Sequence, residues 1–170
     1  MTSAIVLAMH GSPPKDFPHG ETAEMFGLHA RLHGAQGPER DSLARRHDEI
    51  EARMREWPRT ADNDPYWAAS QELAEHLERE SDMRVVAGFN EFCNPSIEDA
   101  VALVVSGGAK DVLVMTVMMT RGGEHSETDI PAAIARAKES HPGVNIRYAW
   151  PFDPEDVARF LVQHSHQFSP

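Results

Sequence analysis

The feature that most constrains this chain is a series of short apolar runs, each ended by turn-forming residues. Ala4 to Met9 (AIVLAM) stops at His10-Gly11-Ser12-Pro13-Pro14. Arg84 to Phe92 (RVVAGFNEF) stops at Asn94-Pro95, Asp111 to Met119 (DVLVMTVMM) at Thr120-Arg121-Gly122-Gly123, and Asn145 to Trp150 (NIRYAW) at Pro151. Apolar runs of this length, bounded by Gly, Pro and Asn, predict buried β-strands.

Between the runs lie helical patterns with readable ends. Ser96 and Asp99 have the spacing of a capping box, opening a helix that Gly107 and Gly108 would close. Pro131 suits the first turn of a helix over AAIARAKES, and Asp153-Pro154 reads as N-cap and first turn before EDVARFLVQ. Leu43, His47, Ile50, Met54 and Trp57 recur at steps of four and three, which predicts an amphipathic helix over Ser42 to Trp57. A shorter helix is expected around Glu21 to His33, and another over Tyr66 to Glu80 leads back to the second strand. Strands alternating with helices imply α/β architecture: a doubly wound, mostly parallel sheet covered on both faces. Lys15 to Pro65 is then an elaboration of the first strand-to-helix connection, placed to act as a lid.

At 170 residues the chain fits one domain, 1–170, with a core of its own. The formal net charge of -11 argues against nucleic acid or an anionic membrane as the main partner. No stretch approaches the roughly 20 apolar residues of a membrane span, and the N-terminal run has no basic flank for a signal peptide, so a cytoplasmic protein is expected. The single cysteine, Cys93, excludes an internal disulfide. Ten histidines are unusual, and those between His19 and His76 read as surface residues without ligand spacing.

In an open parallel sheet, ligands bind beyond the carboxyl ends of the strands, so polar residues there are read for function first. His10 follows strand one, Glu91 lies at the end of strand two, and His125 follows strand three. Two imidazoles and a carboxylate from neighbouring strand ends can converge on one transition metal. Taken singly, each has a structural explanation: a strand-end histidine usually bonds a turn, and Glu91 suits an ion pair. Glu124, Glu127 and Asp129 suit a helix N-terminus, while Met115, Met118 and Met119 suit a core.

The motifs HGSPP, GFNEFCNPSIEDAV, TRGGEHSETDIPAAI and YAWPFDP stand in this order at the strand ends. Together they resemble the short sirohydrochlorin chelatases of the CbiX type, class II tetrapyrrole chelatases. The likeness covers strand one and then Arg84 to the C-terminus. It implies a flavodoxin-like chelatase fold, with His10 and His125 as metal-binding histidines and Glu91 as the matching acidic residue and a third candidate ligand. It also implies a homodimer, because short forms match one half of the two-domain chelatases. Asn94 departs from the pattern, standing where relatives often carry an acidic residue. Lys15 to Pro65 exceeds the usual short-form helix.

The activity implied is insertion of Co²⁺, Fe²⁺ or Ni²⁺ into an anionic tetrapyrrole, with metal as substrate and no permanent cofactor. Metal must be stripped of water and offered to one macrocycle face while two pyrrole protons leave, work suited to neutral imidazoles and a carboxylate. Substrate carboxylates need local positive groups in so acidic a protein. Ser12, Arg121 and the amides of Gly122 and Gly123 are the candidates, with the helix N-termini after Pro95 and Ile130. A Ser12, His125, Asp129 hydrolase is disfavoured, since no Gly-x-Ser-x-Gly elbow surrounds Ser12. A non-catalytic metal or tetrapyrrole carrier would use the same site as the chelatase.

Overall fold

The computed structural model describes residues 2–32 and 34–168. Four parallel strands, β1 (Ser3–Met9), β2 (Arg84–Phe89), β3 (Asp111–Thr116) and β4 (Asn145–Tyr148), form a sheet in the order β2-β1-β3-β4. β1 is central and buried from Ala4 to Met9, as its unbroken apolar run requires. Its side chains alternate between two cores. Ala4, Val6 and Ala8 face α4 (Ile97–Ser106) and α5 (Ile130–Ser140), whereas Ile5, Leu7 and Met9 face α3 (Pro65–Ser81).

Helix starts follow the sequence signals. The Ser96 hydroxyl accepts from the Asp99 amide at 3.1 Å, capping α4, and donates to the Asp99 carboxylate at 2.6 Å; the carboxylate thus returns to the Ser96 hydroxyl, not to its amide as in a full capping box. Asp64 caps α3 by accepting from the Trp67 amide, and Asp153 caps α6 (Pro154–Ser165) through the Glu155 amide.

The segment after β1 folds into a helical hairpin, α1 (His19–Leu32) and α2 (Gly37–Arg55). The predicted end of the first helix at His33 lies outside the described residues. α2 begins earlier than Ser42 because Gly37, at φ +58, turns the chain and Pro38 occupies its first turn. The hairpin has a core of its own: Leu43, Ile50 and Met54 of the predicted stripe pack with Phe17, Met25, Leu28 and Phe92. Phe92 belongs to the loop after β2, so the hairpin docks at the carboxyl end of the sheet.

Three strands end sooner than their apolar runs. β2 stops at Phe89 rather than Phe92 because the chain turns back, with Phe92 at φ +65 and the Cys93 amide bonded to the Glu91 carbonyl at 2.7 Å. β3 stops at Thr116 rather than Met119, since the Thr116 hydroxyl takes the Met118 amide at 3.2 Å. β4 stops at Tyr148, short of Trp150. Among the described residues, no helix is long and apolar enough to cross a membrane.

Candidate metal centre

The order β2-β1-β3-β4 reverses direction of winding between β1 and β3, which is where a doubly wound sheet opens a crevice. His10 leaves β1 at that point. Its imidazole meets His125, with ring centroids 4.3 Å apart and nearly perpendicular planes. One ligand atom each from His10, Glu91 and His125 lie within 4.8 Å of one another, close enough to share a single ion.

Both imidazoles are turned by hydrogen bonds that fix their tautomers. His10 Nδ1 lies 2.9 Å from the Gly11 carbonyl, and His125 Nδ1 lies 2.7 Å from Asp129 Oδ2. A carbonyl and a carboxylate only accept, so Nδ1 carries the proton in each ring and Nε2 keeps its lone pair for a metal. Asp129 is thus an orienting partner of His125, a role that the sequence reading considered only for a disfavoured hydrolase triad and otherwise assigned to a helix start.

The His125–Asp129 pairing comes from an unusual backbone. Residues His125–Asp129 form a π-helical turn that runs into α5, with the Ile130 amide bonded to the His125 carbonyl. Pro131 has no N–H for the Glu127 carbonyl and its ring would crowd that oxygen, so regular α-bonding is interrupted here. Pro131 therefore stands in the first turn of α5, as expected, but that helix continues from the π turn before it. The amides following Ile130 do not form the free helix N-terminus expected for anion binding.

Glu91 is held by main-chain geometry. The Asn90 and Glu91 amides donate to the Met9 and His10 carbonyls at 2.9 and 3.0 Å. Two arginines of the helical elaboration clamp the rest of the loop. Arg55 donates to the Asn90 and Cys93 carbonyls at 2.6 and 2.9 Å. Arg59 donates to the carbonyls of Phe92, Ser12 and Met54 while paired with the buried Asp64. The sequence reading missed both, because the loop oxygens they hold, those of Ser12, Asn90, Phe92 and Cys93, lie far along the chain.

These residues open on a cavity of about 1060 Å³, walled by β-strand ends, α2, α4 and α5. Ser12 and the α4 N-terminus at Ser96 and Ile97 line it, as expected. Arg121, Gly122 and Gly123 lie exposed on a loop outside its lining, and the Gly122 amide is taken by Glu127 Oε1 at 2.9 Å. The cations that do line the cavity are Arg55 and Arg136. They stand among Asp48, Glu51, Glu91, Glu98, Glu124 and Asp129, so the wall is net acidic and favours an entering cation.

Fold and site together define a doubly wound α/β protein with a two-histidine, one-carboxylate constellation at the switch point of its sheet. The sequence profile of the CbiX family matches residues 62–166, and the chain belongs to that family. Over 75 residues it is 37% identical to a sirohydrochlorin cobaltochelatase of Priestia megaterium, covering 44% of this chain and 24% of that protein. Over 78 residues it is 36% identical to a chloroplastic sirohydrochlorin ferrochelatase of Arabidopsis thaliana, covering 44% of this chain and 34% of that one. The matches thus span about a quarter and a third of those relatives' own lengths. A solved CbiX protein of Marinobacter aquaeolei VT8 shares the fold at a TM-score of 0.51 and 20% identity, covering 98% of this chain and 99% of that one.

Proposed function

We propose that this protein inserts a divalent metal, Co²⁺, Fe²⁺ or Ni²⁺, into sirohydrochlorin or a related tetrapyrrole. The observation that carries the reading is the convergence of His10, Glu91 and His125 within 4.8 Å at the base of a cavity large enough for a macrocycle. Nε2 of each histidine takes the metal as its water is lost. The macrocycle then approaches the open side, four ring nitrogens replace the protein ligands, and two pyrrole protons pass to Glu91 or to the released imidazoles. Ser12, Arg136 and the α4 N-terminus bind peripheral carboxylates, with Arg136 taking the place of Arg121 and the glycine amides in that role. The α1–α2 hairpin forms a fixed side wall, since its Arg55 is bonded to the loop that carries Glu91.

We further infer a homodimer. α6 buries none of its residues in the chain and leaves Phe160, Leu161 and Val162 more than half exposed, an apolar surface suited to a second copy. Anaerobic incubation with sirohydrochlorin and each metal, followed by absorbance, tests the activity. Accelerated metallation that is lost in His10→Ala and His125→Ala is expected. Tight macrocycle binding without acceleration would instead make the protein a carrier, and full activity in both variants would refute the site.

A further inference from the structure

We propose that His47 and Glu51, one helical turn apart on α2, form a second binding site for a divalent transition metal, with Asp48 and His29 beside them. Ligand atoms of His47, Asp48 and Glu51 lie within 4.8 Å of one another. His47 Nδ1 is 3.3 Å from Asp48 Oδ1 and 3.8 Å from Glu51 Oε2. Two donors bound to one ion at about 2.1 Å stand roughly 3.4 Å apart at tetrahedral angles, so small rotations bring these atoms to one metal. The His29 ring, from α1, has its centroid 5.9 Å from that of His47.

The environment differs from a solvated helix face. The His47 and Glu51 side chains are only 17% and 23% exposed. Glu51 Oε1 is held by Arg55 Nε at 2.9 Å, and Arg55 is itself fixed on the Asn90 and Cys93 carbonyls. The carboxylate is therefore oriented from behind, with Oε2 on the His47 side. Asp48 adds the second negative charge that offsets Arg55.

His29, His47 and Glu51 share a cavity of about 170 Å³ with Glu91 and Phe92. His29, Asp48 and Glu51 also line the larger cavity above His10 and His125. A metal held on α2 would thus sit beside the carboxylate of the central site and could pass to it. That role as a loading station rests on the chelatase reading, whereas the second site does not.

Anaerobic Co²⁺ titration of the whole protein without tetrapyrrole, reading stoichiometry by dialysis and geometry by visible absorption, tests the site. The protein should bind two equivalents, and the His10→Ala/His125→Ala variant should retain one. His47→Gln and Glu51→Gln should each weaken that retained equivalent at least tenfold. Glu51→Gln keeps an acceptor for Arg55, and unchanged circular dichroism and melting would show that α2 is intact. One equivalent lost in His47→Gln but kept in His10→Ala/His125→Ala would support the α2 site while removing the central one. A single equivalent that depends only on His10 and His125, or a second one indifferent to both α2 variants, overturns the proposal.

Discussion

Gly11 packs against the main chain of Glu91 so closely that a Cβ at residue 11 would lie 2.0 Å from the Glu91 carbonyl oxygen. Gly11 also has φ +106, a conformation that side chains rarely adopt. Gly11→Ala should therefore cost about 2–4 kcal/mol of stability and push the Glu91 loop from His10. Urea unfolding and Co²⁺ titration would check both effects; wild-type stability would contradict this packing.

Asp129 acts through His125. Asp129→Ala should free the imidazole to rotate and to exchange tautomers, lowering metal affinity at the central site by about 10–100-fold. The α2 site, which shares no ligand with it, should be unaffected. Separate titrations in the His47→Gln and His10→Ala/His125→Ala backgrounds would distinguish the two.

Arg59 and Asp64 are a buried ion pair, with side chains 5% and 0% exposed. Arg59→Met leaves the Asp64 carboxylate without its charge partner and removes the arginine donor from the Ser12 and Phe92 carbonyls, while the Met54 carbonyl keeps the Trp57 amide. A loss of about 3–5 kcal/mol is expected in chemical unfolding. A loss under about 1 kcal/mol would mean that the clamp contributes little to the fold.

Burial pushes the Cys93 thiol up to about 11, against a hydrogen bond from Ser12 and the nearby Arg59 charge, which pull it down. The thiolate forms more readily in the unfolded chain. The contribution is full below the ordinary thiol value near 9.0 and is lost as pH rises to about 11. Cys93→Ala should flatten the decline in stability over that window, measured by urea unfolding at stepped pH. Tyr148, raised to about 12 by burial and by Glu127, keeps a second decline at higher pH. Native Cys93 should also resist alkylation at pH 8.

Arg136 lines the cavity and Arg121 does not. Arg136→Ala should raise the KM for sirohydrochlorin several-fold, more at low salt than at high, while leaving metal affinity near wild type. Arg121→Ala should leave both within about twofold. Steady-state kinetics at two ionic strengths would reverse the assignment if Arg121→Ala had the larger effect.

The sequence by itself determined the parallel α/β plan, the helix caps and the strand-end placement of His10, Glu91 and His125. All of these are local: an apolar run, a proline or a Ser-x-x-Asp spacing acts on its own neighbours. Tertiary structure decided where β2 ends, because positive φ at Phe92 and the arginine clamp are set by contacts from α2. It likewise decided that Arg136 rather than Arg121 faces the cavity, and that Asp129 orients His125 through a π turn. The histidines between His19 and His76 show the difference most clearly. His29 and His47 are far apart along the chain and read as surface residues, until hairpin packing of α1 on α2 brings their rings together and α2 sets Glu51 beside the loop of Glu91. Sequence spacing encodes one helix face at a time; which faces meet depends on the core that joins them.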